Sequence, residues 1–263
     1  MSAIYTVVMP IFNEESTLAN SIESVLSQTE GDLELIIVDD ASTDGSRDII
    51  NGYLMIDKRI KLIVNKFNSR TGVVQWEPRN DGLKYATGKF IAYLDGDNLW
   101  VKNFLYEMSL PLKQLKCLQL TYCRSKNYYS LEEAAIARSS DPRRLLDSGC
   151  NWNIFKHGNL ELNKLGKEQY VDTNEMMHRV GVFQDTAHLW KTFHLKRKII
   201  NTAQGINKSY RRHNDLELVE RILSTYGINS CWEVDNTLVE YFYDSFNGHV
   251  KHLEKIDVHG VYS

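Results

Sequence analysis

Phe90-Ile91-Ala92-Tyr93-Leu94-Asp95-Gly96-Asp97-Asn98 is the stretch on which the reading of this chain turns. Its first half is apolar, β-branched and aromatic, follows Gly88, and has the length of a buried parallel strand. Asp95 and Asp97 come just past that strand's carboxyl end. Open α/β sheets bind ligands at this edge. Asp and Asn oxygens there suit a hard divalent cation, Mg²⁺ or Mn²⁺, and such a cation neutralises a bound diphosphate. Taken alone, Asp-x-Asp also fits a plain turn after a strand.

Working outward, strand and helix patterns alternate over the first hundred residues. Tyr5 to Pro10, Leu33 to Val38, Ile60 to Val64 and Phe90 to Leu94 read as strands. Thr17 to Gln28 reads as a helix with Ser16 or Thr17 as N-cap, Asp44-Gly45-Ser46 opens another through Met55, and Asn80 to Ala86 lies on a third. Repeated βα units predict an α/β fold: a mostly parallel sheet flanked by helices. Val101 to Lys116 reads as a helix broken at Pro111. Cys117 to Cys123, Gln169 to Val171 and Ile199 to Asn201 read as strands. From Asp215 onward the spacing of Leu216, Val219, Ile222 and Leu223 predicts a helix. That of Leu238, Phe242 and Phe246 predicts another over Trp232 to Phe246.

The chain has 263 residues, enough for one large domain with its own core. A net charge of −3 argues against nucleic acid as a partner. Cys117, Cys123, Cys150 and Cys231 lack C-x-x-C spacing and read as reduced thiols. The first residues show no signal-peptide pattern and no apolar run is long enough to span a bilayer. The expectation is a cytoplasmic protein, with peripheral contact at a membrane surface open.

The first βα turn is Pro10-Ile11-Phe12-Asn13-Glu14-Glu15, without the G-x-G-x-x-G of a dinucleotide site. The second strand ends in Asp39-Asp40-Ala41-Ser42-Thr43-Asp44-Gly45-Ser46. A carboxylate at such an end accepts a hydrogen bond from a ribose hydroxyl or a pyrimidine N3–H. Asp40 and Asp44 also suit capping of the next helix, a role taken here for Asp44, with ligand contact for Asp39.

Together Pro10-x-x-Asn13-Glu14-Glu15, Ser24 to Thr29, Glu34 to Ser46, Arg79-Asn80-x-Gly82-Leu83-x-x-Ala86-x-Gly88 and Leu94-Asp95-x-Asp97 resemble family 2 glycosyltransferases. The resemblance covers residues 4 to 105 and implies a GT-A-like (Rossmann-like) fold and a nucleotide-diphosphate sugar donor. It implies that Asp39 holds the base, that Pro10 and Phe12 line the base pocket, and that Asn13 and Glu14 belong to the donor site. It further implies that Asp95 and Asp97 serve the ribose or sugar and the metal, with Asp97 the main ligand because Asn98 stands where many members have a third Asp. Arg70 or Arg79 would touch the diphosphate. Residues 1–105 would then be the donor-binding half, 106–213 the acceptor-binding half, and 214–263 a C-terminal helical extension.

In the second half the resemblance is to the spore-coat polysaccharide glycosyltransferase type, through Val171 to Arg179, Gln184-Asp185-Thr186-Ala187-His188-Leu189-Trp190 and Tyr210-Arg211-Arg212-His213. Asp185 matches the proposed base that takes the acceptor's proton; its alternative is a helix N-cap. Asp172 is assigned to acceptor binding. His178 is assigned there too, or else to a satisfied place in the core. Arg211 and His213 would lie near the donor phosphates, His213 as a further metal ligand.

The resulting expectation is a metal-dependent inverting glycosyltransferase using Mn²⁺ or Mg²⁺, with a UDP-sugar donor and a glycan or lipid-linked saccharide acceptor. Homodimerisation through C-terminal helices is open. A nucleotidyltransferase and a non-catalytic nucleotide-sugar-binding protein are the alternatives.

Overall fold

The computed structural model describes residues 3–68, 77–128, 173–182, 218–219, 222–223 and 225–242. Its strands are β1 (Tyr5–Ile11), β2 (Leu33–Asp39), β3 (Ile60–Val64), β4 (Phe90–Tyr93), β5 (Asn98–Trp100), β6 (Leu120–Tyr128), β7 (Met176–Arg179) and β8 (Cys231–Phe242). The α-helices described from end to end are α1 (Leu18–Leu26), α2 (Ser46–Ile56), α3 (Glu77–Leu83) and α4 (Phe104–Gln114). All eight strands form one sheet in the order β3-β2-β1-β4-β7-β6-β8-β5.

The parallel block β3-β2-β1-β4 is the βα half expected from the sequence. Its strands are near-continuous apolar runs because helices cover both faces. Val7, Met9, Leu35 and Ile37 pack on one side with Leu18, Ile22 and Val25 of α1 and Phe104 and Met108 of α4. Val8, Ile36 and Val38 pack on the other with Leu83 of α3 and with Leu218, Val219 and Ile222. Those last residues are helical, as their spacing predicts.

Two glycines let the layers close. A Cβ on Gly82 would sit 2.5 Å from Val8 Cγ1, and one on Gly88 would sit 2.6 Å from the Thr6 backbone nitrogen.

The other half of the sheet departs from expectation. β7 pairs antiparallel with both β4 and β6, β8 runs parallel to β6, and β5 runs antiparallel to β8. Cys231–Phe242 is therefore a strand, where the four-residue spacing of Leu238 and Phe242 predicts a helix. The segment is rich in β-branched and aromatic residues, which fit a pleated surface, and it satisfies its backbone between two neighbouring strands. Helical residues within 218–226 precede it, so the described part of the C-terminal segment holds both helix and strand.

α4 runs through Pro111, where a break is expected. Burial of Phe104, Leu105, Met108 and Leu112 on one face outweighs the lost hydrogen bond. β6 starts at Leu120, leaving Cys117 exposed ahead of it. Thr17 occupies the N-cap position of α1 without a side-chain cap; its hydroxyl donates instead to the carbonyls of Gly96 and Glu14. Gln169 to Val171 and Ile199 to Asn201 lie outside the described residues.

Glu34 is a charged hub inside the parallel block. Its Oε1 accepts Thr6 Oγ1 at 2.6 Å and both the N–H and hydroxyl of Thr87, and its Oε2 accepts Lys61 Nζ at 2.7 Å. Burial pushes its carboxyl up, but the donors from Lys61, Thr6 and Thr87 outweigh burial and hold it below the ordinary value. Two non-glycine residues, Asn13 (φ 56) and Ala41 (φ 64), take the left-handed conformation just after β1 and β2.

Glu34→Gln is expected to lower unfolding free energy by about 1–3 kcal/mol at pH 7, measured by denaturant titration. Because the folded carboxyl is depressed, its stabilisation is present above the unfolded value near about 4.3. It is lost as pH falls through the folded value, so wild type and variant should converge in acid. Ala41→Gly is expected to raise stability by a few tenths to about 1 kcal/mol, since left-handed strain is removed and only partly offset by glycine's greater unfolded freedom.

Candidate active site at the carboxyl edge of the sheet

β2, β1 and β4 end side by side, with Asp39 opposite Ile11 and Tyr93 opposite Val8. The acid-bearing turns after β2 and β4 therefore flank the turn after β1. They stand about two strand spacings, roughly 10 Å, apart.

The turns after β1 and β2 interlock. Asn13 Oδ1 accepts the Thr43 N–H at 2.7 Å, the Asn13 N–H donates to Ser42 Oγ, and the Glu14 N–H donates to Ser46 Oγ. Glu15 N–H donates to Asp44 Oδ2 while Gly45 N–H donates to Glu15 Oε2. A Cβ on Gly45 would fall 2.5 Å from Glu15 Oε1. Asp44 Oδ1 also accepts the Ser46 N–H at the start of α2, which fits its capping role. Burial raises the Asp44 carboxyl, but the Ser46 hydroxyl and the Glu15 and Ser46 amides more than offset it, leaving a net lowering. Asn13 and Glu14 thus brace the edge through their side chain and backbone respectively.

Asp39, 0% exposed, anchors the centre of this braced region. Its Oδ1 accepts the Ser42 N–H at 2.8 Å, and its Oδ2 accepts Arg47 Nη2 at 2.6 Å and Nε at 2.9 Å. Pro10 and Phe12 are half-buried at the end of β1. Asp40 is buried as well, and its Oδ1 accepts a hydrogen bond from Asn65 Nδ2 after β3.

Asp95 is held from two sides. Arg79 Nη2 on α3 donates to its Oδ1 at 2.7 Å, and Asn174 Nδ2 donates to its Oδ2 at 3.0 Å. Arg79 is 8% exposed and forms a part-buried ion pair with Asp95. Gly96 lies against the first turn, where a Cβ would meet Glu14 Oε2 at 2.0 Å and Ile11 Cγ2 at 2.7 Å. Asp97 is half-buried, and Asn98 Nδ2 donates to its Oδ1 at 2.9 Å. Asn98 therefore braces Asp97 with its amide. Among the described residues no group of three His, Cys, Asp or Glu side chains gathers as a closed metal cage. An open pair of carboxylates instead suits Mg²⁺ or Mn²⁺ completed by substrate phosphates and water.

His178 lies in β7 at 0% exposure, with Nε2 2.9 Å from the Tyr93 hydroxyl and Nδ1 2.8 Å from the Arg179 carbonyl. Buried, with a partner at each ring nitrogen, it has the surroundings expected of a core histidine. Asp172, Asp185, Arg211, His213 and Arg70 lie outside the described residues. Arg47 and Asn174 are the site residues that sequence reasoning missed. Asn174 falls inside the recognised Val171–Arg179 segment, yet only the β4–β7 pairing discloses its partner.

A profile of glycosyl transferase family 2 matches residues 6–187. The UDP-Glc:alpha-D-GlcNAc-diphosphoundecaprenol beta-1,3-glucosyltransferase WfgD of Escherichia coli is 40% identical over 111 residues, 42% of this chain and 42% of that enzyme. The match thus spans less than half of WfgD. The putative glycosyltransferase EpsH of Bacillus subtilis is 35% identical over 262 residues, 90% of this chain and 71% of that protein. Staphylococcus aureus TarS 1–349 in complex with UDP-GlcNAc superposes with a TM-score of 0.59 at 17% identity, over 92% of this chain and 58% of that one. Mannosyltransferase PcManGT from Pyrobaculum calidifontis, in complex with GDP-Man and Mn²⁺, gives 0.61 at 13% identity, over 96% and 61%. These neighbours share the GT-A fold. With the profile covering most of its length and the acid-bearing turns in place at the sheet edge, the chain belongs to glycosyl transferase family 2.

Proposed function

We propose that this protein transfers a sugar, with inversion, from a UDP-sugar to a hydroxyl of a lipid-linked saccharide. The observation that carries the reading is the edge itself. Asp39 and the Asp95–Asp97 turn stand on either side of β1 in a family 2 domain, spaced to take the base and the diphosphate of one extended nucleotide. TarS holding UDP-GlcNAc and PcManGT holding GDP-Man with Mn²⁺ support a nucleotide-sugar donor and a divalent cation. The acceptor class follows the name of WfgD, a glucosyltransferase acting on a GlcNAc-diphosphoundecaprenol. No helix among the described residues is long and apolar enough to cross a membrane, so such an acceptor would be met at the membrane surface.

In this reading Asp39 accepts the base N3–H while Pro10 and Phe12 border the ring. Asp97, with Asp95 and His213, would hold the cation, which as a Lewis acid would stabilise the departing nucleoside diphosphate. Arg79 keeps Asp95 oriented, and Arg211 would supply positive charge to the phosphates. Asp172 binds acceptor hydroxyls. Asp185 takes the proton from the attacking hydroxyl as its oxygen bonds to the anomeric carbon opposite the leaving nucleoside diphosphate. Positioning and electrostatics supply most of the rate.

Calorimetry and thermal shift with UDP, GDP and CDP, each with Mn²⁺, Mg²⁺ or chelator, should show metal-dependent stabilisation by UDP, about 2.7 kcal/mol at one hundred times its Kd. Stabilisation by none of the three under any metal condition would overturn the reading. Asp97→Asn should abolish the metal dependence of that shift. Asp185→Asn should leave UDP affinity unchanged and lower kcat by about 10²–10⁴; wild-type turnover would remove Asp185 as the base.

A further inference from the structure

Asn174 is 1% exposed and addresses Asp95 twice. Its Oδ1 accepts the Asp95 backbone N–H at 2.6 Å, and its Nδ2 donates to Asp95 Oδ2 at 3.0 Å. It is itself anchored, because its carbonyl accepts Trp100 Nε1–H at 3.1 Å and Trp100 stacks on Phe104 at 3.9 Å between ring centroids. A carboxamide offers an acceptor and a donor side by side without net charge. With Arg79 on the other oxygen, a neutral second partner orients Asp95 without cancelling the remaining negative charge of the Asp95–Asp97 turn. A cation there would remove the charge that attracts a metal; a carboxylate would repel Asp95.

We propose that Asn174 is a positioning residue that fixes the side-chain and backbone orientation of Asp95, and thereby sets the affinity of this turn for a nucleoside diphosphate with its divalent cation. The inference rests on the donor-binding reading above. Asn174 approaches from the Thr173–Glu175 turn that leads into β7, far along the chain, so it ties donor affinity to the joint between the two halves of the sheet.

The test is calorimetric titration of the full chain with UDP and Mn²⁺ between pH 5 and 8, reading the ratio of variant to wild-type Kd. Asn174→Ala should weaken binding by about 10–100-fold at every pH, the usual effect of removing a partner that orients a metal ligand. Asn174→Asp is the discriminating variant. Protonated, the introduced carboxyl can make both hydrogen bonds; ionised, it faces Asp95 at hydrogen-bond distance. Its Kd ratio should therefore be near one in acid and rise with pH by up to about tenfold per unit.

Wild-type affinity in both variants, or an equal loss at all pH values in Asn174→Asp, would overturn the proposal. If Asn174→Ala does not fold, Asn174→Ser, which keeps a short donor and acceptor, replaces it with an intermediate loss expected. Wild type that binds no UDP overturns the donor reading instead. The link to Asp95 is then read from unfolding alone. Asn174→Asp should lose stability as pH rises, Asp95→Asn in the same chain should abolish that dependence, and a dependence that persists overturns the link.

Discussion

The antiparallel pairing of β7 with β4 is the contact on which the rest of this structure depends. Ala92, Ile91 and Phe90 face Met177, His178 and Arg179 across that ladder. On its far side β7 pairs with β6, which carries β8 and, through β8, β5. The parallel nucleotide-facing block and the second half of the chain are thus one sheet only because β7 lies between them. The same ladder sets which end of β7 meets the site. Running antiparallel, it starts where β4 stops, so the Thr173–Glu175 turn arrives beside Asp95.

Three carboxylates are braced alike, Glu34 inside the parallel block and Asp39 and Asp95 at its carboxyl edge. Glu34, Asp39 and Asp95 are each surrounded by donors from more than one element, and each has a cationic partner: Lys61, Arg47 and Arg79. An unpaired carboxylate in such places would be expensive. Paired and hydrogen-bonded, it becomes a rigid junction between strand ends. The consequence for function is preorganisation, since the turns that face a ligand are already braced before it arrives. Asp97, half-buried like Asp95, accepts a hydrogen bond from the neutral Asn98 amide next to it.

The parallel half was legible because its strands are short apolar runs closed by Pro, Asp or Asn and α1 and α2 carry one-sided apolar stripes, signals that are local. Asp39, Asp95 and Asp97 were legible for the same reason: their positions follow from where the strands end. β8 was misread because Leu238 and Phe242 recur at helical spacing, while the two strands that capture its backbone, β6 and β5, are remote in sequence. Pro111 was overvalued as a helix breaker because the apolar face that holds α4 in place is a tertiary fact. The burial of His178 and its bond to Tyr93 depend on the β4–β7 ladder and have no local signal.

By itself the sequence determined the βα order, the family and the acids that end β2 and β4, because periodicity, strand ends and turn residues are properties of neighbouring positions. Tertiary structure alone decided that β7 joins the two halves, that Arg47 clasps Asp39, and that Arg79 and Asn174 grip Asp95 from opposite sides. Those partners lie 8, 16 and 79 residues from the carboxylates they hold. The physical reason is that a hydrogen bond is chosen by proximity in space, and proximity across a sheet is set by strand order, which no local pattern encodes.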